Sequence, residues 1–234
     1  MKLRMLLAVG AVAIVAVAQS SLQSAIHTPQ SAMKPSWRVL FDGTSLDAWR
    51  GYKGAPVPAG WRIENGTLAK DKPVADIVSK DEFGDFELEI EWKIGDAGNS
   101  GIFYRGTEEY EHIYFSAPEY QLLDDIHGAD NKTRLTCAGA AYAVYPSPEG
   151  HLKPVGDWNA TRIVARGARV EHWLNGVKMV EYELESADWA AKVKASKFGA
   201  WPTYGKAKRG HIAMQGDHAG TLAFRNIRIR VIAD

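Results

Sequence analysis

The chain has 234 residues, 28 of them basic and 28 acidic, for a formal net charge of zero. That length suffices for one domain with a real core, and the balanced charge, without a basic stripe, excludes a nucleic-acid partner. A lone cysteine, Cys137, excludes an intrachain disulfide and a cysteine-held metal cluster.

The N-terminus reads as an export signal. Lys2 and Arg4 precede an uncharged apolar run of 14 residues, from Met5 to Ala18, which is too short to span a membrane. Ala16-Val17-Ala18 then forms a small-x-small cleavage site before Gln19. Residues 1–18 are expected to be removed, residues 19–35 to form a polar flexible tail, and residues 36–234 to form one domain. No lipid-anchor cysteine follows the cut, so the mature chain is expected in the periplasm or secreted, with no membrane span.

From Trp37 onward the pattern is β. Residues 37–41 read as a short strand. Residues 61–64 and 67–70 flank Asn65-Gly66, a two-residue hairpin turn. After a strand at 74–79, residues 86–94 alternate strictly: Phe86, Leu88, Ile90 and Trp92 on one face, Glu87, Glu89, Glu91 and Lys93 on the other. Three carboxylates on one strand face need water, so that face is either plain surface or the polar floor of a groove. Strands follow at 102–105, 120–123, 140–145 and 158–166, then a second Asn-Gly hairpin at 169–174 and 177–182, and finally 211–215 and 222–232. Residues 186–198 alone read as helix, with Trp189 and Val193 at i, i+4 spacing and Ser186 or Asp188 as N-cap. Many short strands without alternating helices predict an antiparallel sandwich. The eight Trp and nine Tyr suit an aromatic core in such a protein, or stacking against sugar rings.

Several ordered segments belong together: Val39-Leu-Phe-Asp-Gly43 with Leu46 and Trp49, Gly60-Trp-Arg-Ile-Glu-Asn-Gly66, residues 85–92 and 98–105, Glu119-Tyr-Gln-Leu-Leu-Asp124, Trp158-Asn159, residues 170–180, and residues 210–224 with Arg225-Asn-Ile227. In this arrangement the chain resembles the domain of unknown function 1080 family, associated with 3-keto-disaccharide and 3-keto-glycoside hydrolases. The resemblance implies an all-β, concanavalin A-like jelly roll of two curved antiparallel sheets, here with one short helix. It also implies a ligand on the concave face, export, and action on sugars oxidised at C3. The run Met214-Gln-Gly-Asp-His218 carries a glycine inserted relative to many relatives, and Ala143 stands where relatives often have an acid.

A 3-keto group acidifies the C2 proton and sets the C1 oxygen β to the resulting carbanion. Cleavage then needs a base near C2, an acid near the glycosidic oxygen and donors near O3, followed by addition of water. Glu119 and Gln121 share a strand face, and Asp124 and His127 follow just past the strand end. Asn99 and Ser100 lie in a Gly-flanked loop, Arg105 ends a strand, and Gln215, Asp217 and His218 end another. The expected catalytic residues are Glu119, His127 and His218: Glu119 or His127 as base, the other or His218 as acid. Asn99, Ser100, Arg105, Gln121, Asp124 and Gln215 are the expected substrate-binding residues. Asp124, Asp125 and His127 with Glu119 form a candidate divalent-cation site, catalytic or structural, although no tight metal-binding spacing is present. Against these readings, a lone Glu on a strand is usually surface, and Arg105 could simply neutralise Glu89 or Glu91. His112, His151 and His172 read as structural or surface residues. The expected partners are a small carbohydrate and an upstream sugar 3-dehydrogenase that makes it. The competing readings are a non-catalytic lectin-like module and an endo-glucanase, whose acidic strand motif Glu87-Leu-Glu-Ile-Glu91 only superficially imitates.

Overall fold

The computed structural model describes residues 36–232; the expected export signal, the tail and the last two residues lie outside the described residues. In chain order the strands are β1 (Arg38–Phe41), β2 (Trp49–Gly51), β3 (Arg62–Glu64), β4 (Thr67–Lys70), β5 (Ile77–Phe83), β6 (Phe86–Ile94), β7 (Asn99–Gly106), β8 (Glu119–Leu123), β9 (Asn159–Arg166), β10 (Arg169–Leu174), β11 (Val177–Glu183), β12 (Gly210–Met214) and β13 (Leu222–Val231). One sheet runs β11-β10-β9-β6-β13-β4-β3, with β1 also paired to β13; the other runs β2-β5-β12-β7-β8. Every pairing is antiparallel, as the sequence led one to expect of a sandwich. Both Asn-Gly turns take the left-handed backbone that tight hairpins need, with φ of 49° and 73° at Asn65 and Gly66 and of 50° and 84° at Asn175 and Gly176.

Strand β6 explains the sandwich in miniature. Phe86, Leu88, Ile90, Trp92 and Ile94 are buried in the core between the sheets. Their alternates Glu87, Glu89 and Glu91 stand opposite Arg230, Arg228 and Arg225 of β13. Each arginine Nε donates to its glutamate at 2.7 Å. The acidic face is therefore a charged outer ladder, and Glu89, Glu91 and Arg228 also line a pocket there with Arg162 and Trp173.

Helix α1 (Ala187–Ala195) begins where the sequence puts it: the Ser186 hydroxyl caps it by accepting the Trp189 N–H at 3.1 Å. A column of stacked rings holds this segment to the sandwich. Centroids are 4.9 Å apart for Tyr145–Tyr182, 5.2 Å for Tyr182–Trp189, 5.8 Å for Trp189–Tyr204 and 4.1 Å for Tyr204–Phe198. Two expectations need correction. Residues 140–145 form no strand, because Ala143 takes a left-handed φ of 59° and only isolated bridges form at Ala141. Asn99 and Ser100, expected in a loop, open strand β7, where their backbone pairs with Leu123 and Leu122 of β8; the three-residue β2 was too short to show a period and went unforeseen. Among the described residues no helix is long and apolar enough to cross a membrane.

The core also holds polar links between the sheets, of which the most buried centres on His172. The Tyr104 hydroxyl of β7 meets His172 Nε2 of β10 at 2.8 Å and also meets the Tyr182 hydroxyl, while His172 Nδ1 lies 3.2 Å from the Gly139 carbonyl. Complete burial lowers the His172 pKa from its usual 6.5 to about 4. Above pH 6.5 the ring is neutral in both folded and unfolded chains and contributes no pH dependence. Below pH 6.5 the unfolded chain gains a proton that the folded one refuses, so stability falls as pH drops towards 4. The expected loss is about 2 kcal/mol by pH 5. His172→Gln should flatten that part of a stability–pH curve measured by urea unfolding.

Candidate active site

Antiparallel partners point to the same side of a sheet, so register alone assembles the site. On the outer side of the five-stranded sheet, Val78, Ala213, Phe103 and Glu119 form one row across β5, β12, β7 and β8. The next row on that side is Asp76, Gln215, Gly101 and Gln121. Gly101 pairs with Gln121, the Gln215 N–H donates to the Gly101 carbonyl at 2.9 Å, and the Gly216 N–H donates to Asp76 Oδ1 at 2.8 Å. Ile113 and Ala117 cover the apolar part of the first row, with Tyr52 and Tyr114 packed beside them. The second row remains as a polar floor.

Glu119 dominates this floor. Its carboxyl leans over Gly101, where an added Cβ would lie 2.1 Å from Glu119 Oε1. Glu119 is only 5% exposed, and among the described residues no hydrogen bond reaches its carboxyl. Burial raises its pKa to about 8, opposed by Lys197 and reinforced by Asp76, Asp217 and Asp130. Asp76 is raised to about 7, chiefly by burial, with the Gly216 N–H and Lys70 opposing and Asp217 reinforcing. Two carboxyls near neutrality on one floor suit proton transfer.

Amides frame them. Gln121 Nε2 donates to Asn99 Oδ1 at 3.1 Å, and Asn99 Nδ2 donates to Asp130 Oδ2 at 3.2 Å. The Tyr142 hydroxyl also donates to Asp130 at 3.2 Å, and Lys197 Nζ lies 4.4 Å from the Tyr142 ring centroid. Gln121 Oε1 and Gln215 Oε1 are buried and have no partner among the described residues, two acceptors of the kind that a sugar hydroxyl satisfies. At the other end, the buried Lys70 ammonium donates to the His218 and Gly220 carbonyls and so fixes the loop that carries Asp217 and His218. His218 Nε2 is 3.7 Å from Asp217 Oδ1.

The structure thus gathers Glu119, Gln121, Asn99 and Gln215, with His218 on the neighbouring loop. It places the remaining candidates elsewhere. The Ser100 hydroxyl is buried and donates to the Gln215 carbonyl at 2.9 Å, so Ser100 positions Gln215 and does not meet ligand. Arg105 has a left-handed φ of 51°, which breaks the strand alternation. Its guanidinium donates to Gly84 O, Gly167 O and Asp85 Oδ1 at 2.9, 2.8 and 2.9 Å and is 3% exposed, so it ties loops together and neutralises neither Glu89 nor Glu91. Arg105→Ala is expected to cost about 2 kcal/mol of stability while leaving the turnover of the folded protein within about twofold, as thermal melts and rates per folded molecule would show.

Asp124 and His127 lie beyond the far end of β8 from Glu119, a strand length of about 13 Å. Asp124 accepts the Ala97 and Ile126 N–H groups, and the exposed His127 pairs with Asp96 at 2.6 Å. Donor atoms of Asp96, Asp124 and His127 come within 4.8 Å of one another, so among the described residues these three are the cation-capable group. Glu119 and Asp125 are not part of it; Asp125 binds Arg134 and the Ala138 N–H. Sequence reasoning missed Asp76, Lys70, Asp130, Tyr142 and Lys197. Only Asp76 carried a signal: it lies within the strand expected at 74–79, and the register of β5 with β12, which the structure supplies, puts it opposite Gln215.

The fold is a jelly roll, and its relatives make this a protein of carbohydrate-cleaving type. The chain belongs to the family described as the 3-keto-alpha-glucoside-1,2-lyase-like domain, which matches residues 36–230. It is 36% identical over 229 residues to a 3-keto-disaccharide hydrolase of Bacteroides thetaiotaomicron, covering 83% of this chain and 78% of the relative. A crystal structure from Parabacteroides distasonis, described as a candidate glycosyl hydrolase, superposes with a TM-score of 0.78 at 30% identity, covering 84% of this chain and 94% of that one. The catalytic domain of an endo-1,3-beta-glucanase from Thermotoga petrophila shares the fold alone, with a TM-score of 0.50 at 14% identity, covering 86% of this chain and all of that one.

Proposed function

We propose that this protein cleaves the glycosidic bond of 3-keto-glycosides and 3-keto-disaccharides by proton abstraction at C2, elimination of the aglycone and hydration. The observation that carries this reading is Glu119: a buried carboxyl raised to about 8 and set between two amide oxygens, all of them free of hydrogen bonds among the described residues. Such a group suits proton transfer near neutral pH, and the amides suit the ring hydroxyls. The 36%-identical relative is named for this substrate class, which supports the choice of a keto sugar over an ordinary glycoside. Glu119, Gln121, Asn99 and Gln215 are the residues proposed to meet substrate, with His218 at the rim. The substrate implies a separate sugar 3-dehydrogenase upstream, and the proposed export signal puts cleavage in the periplasm or outside the cell.

The test is turnover of the purified protein on a 3-keto-glucoside and, in parallel, on its unoxidised parent. Release of aglycone from the keto sugar alone is expected. Equal cleavage of the parent would replace this reading with an ordinary glycosidase, and retained sugar binding without cleavage of either would replace it with a lectin-like module.

A further inference from the structure

Resting on the keto-glycoside reading, we propose that the two carboxyls of the floor divide the work: Asp76 is the base that removes the C2 proton, and Glu119 is the acid that protonates the departing oxygen. Register places them on the same side of one sheet. Asp76 and the Gly101 position beneath the Glu119 carboxyl are two strands apart, with Gln215 between them. At ordinary strand spacing that is about 10 Å of backbone, which leaves room for one sugar ring between the two carboxyls.

Their surroundings separate the roles. A base must spend its resting state ionised. Asp76 has the Gly216 N–H on Oδ1 and the Lys70 charge nearby, and both favour the carboxylate. An acid must rest protonated. Glu119 receives no hydrogen bond from the described residues, and Asp76, Asp217 and Asp130 all disfavour its charge, with only the exposed Lys197 favouring it. Asp217 on the loop after β12 keeps Asp76 basic, and Tyr52 and Tyr114 are the other titratable neighbours of Asp76. The residue that supplies this N–H is a closely packed glycine. A Cβ on Gly216 would sit 2.5 Å from the Val74 carbonyl and 3.0 Å from Trp61, so a larger residue could not bring its N–H to Asp76 without shifting that backbone.

The steps balance. Asp76 takes the C2 proton, and the C–H pair becomes the enolate. The enolate pair then forms C1=C2, the C3 carbonyl returns, and the C1–O bond breaks while Glu119 gives its proton to the leaving oxygen. Glu119, now ionised, takes a proton from solvent water as the hydroxyl adds to C1, and Asp76, whose proton has exchanged with solvent while the aglycone departs, delivers a solvent-derived proton to C2. The sum is hydrolysis, with both carboxyls restored.

The test runs in D2O with two 3-keto-glucosides, one with a methoxy leaving group and one with p-nitrophenolate, following aglycone release and deuterium at C2 of recovered substrate. Glu119→Gln is expected to release methanol about 10³-fold more slowly, to gain deuterium at C2, and to cleave the p-nitrophenyl compound within about tenfold of wild type. Asp76→Asn is expected to lose both exchange and cleavage for either compound. Asp76→Ala should regain C2 exchange with added formate, and melts of each variant report whether it folds. Exchange retained in Asp76→Asn, absence of exchange from Glu119→Gln, or no formate rescue in a folded Asp76→Ala would overturn the assignment. Failure of the wild type to cleave either keto compound would instead refute the substrate reading beneath it.

Discussion

Glu119→Gln is expected to lower kcat on a 3-keto-disaccharide by about 10³-fold while raising the melting temperature at pH 8. The first effect is the usual worth of a positioned proton-transfer group. The second follows from its titration. A carboxyl whose pKa rises from 4.5 unfolded to about 8 folded leaves stability intact below pH 4.5 and erodes it as pH climbs towards 8. Glutamine has the same shape and never ionises, so it removes that cost. Loss of activity with gain of stability distinguishes a working group from a structural one, whose removal lowers both. Activity of the wild type should also decline as pH rises through about 8, and this limb should vanish in the variant. Kinetics over a pH series, with melts at pH 6 and pH 8, check all three points.

Gly101→Ala is expected to lower kcat by at least about 100-fold with the fold intact. The added Cβ would fall 2.1 Å from Glu119 Oε1, 2.7 Å from Cδ and 2.8 Å from Cγ, so the methyl group occupies the place of the carboxyl. The Glu119 side chain is flexible and can swing aside, and Gly101 is not in the left-handed backbone region, so the strand itself tolerates alanine. A displaced carboxyl loses the alignment on which its rate advantage depends. Because the effect acts through Glu119, adding Gly101→Ala to Glu119→Gln should cost little more. Such non-additivity in a double-mutant cycle is the signature to measure, and additive losses would place Gly101 in some other role.

Much of this was legible in the sequence, for physical reasons. Strict alternation in Phe86–Ile94 fixed its core face, the two Asn-Gly turns fixed their hairpins, and Ser186 announced the helix start. Period-two spacing put Glu119 and Gln121 on one face, and their partners Asn99 and Gln215 lie within reach of that face. Failures came where one backbone angle or tertiary contact decided the outcome. Left-handed residues at Arg105 and Ala143 broke patterns that look regular in one dimension. His127 is near Glu119 in sequence but a strand length away in space. Asp130, Tyr142 and Lys197 reach the site from separate loops and a 3-10 turn, and nothing periodic in the sequence marks such an encounter. The acidic face of β6, the most conspicuous charge pattern in the chain, proved to be a ladder answered by three arginines of β13.

The central claim is that the bond breaks by elimination and hydration. The measurement that tests it most directly is the mass of the 3-keto-glucose released in D2O, sampled at early times against a control for solvent exchange of the free product. Elimination followed by hydration, with solvent exchange at Asp76 between the two steps, predicts one carbon-bound deuterium at C2 for every bond cleaved, above the exchange seen in the control. Product that keeps its original hydrogen at C2 would mean direct displacement at C1 and would contradict the account.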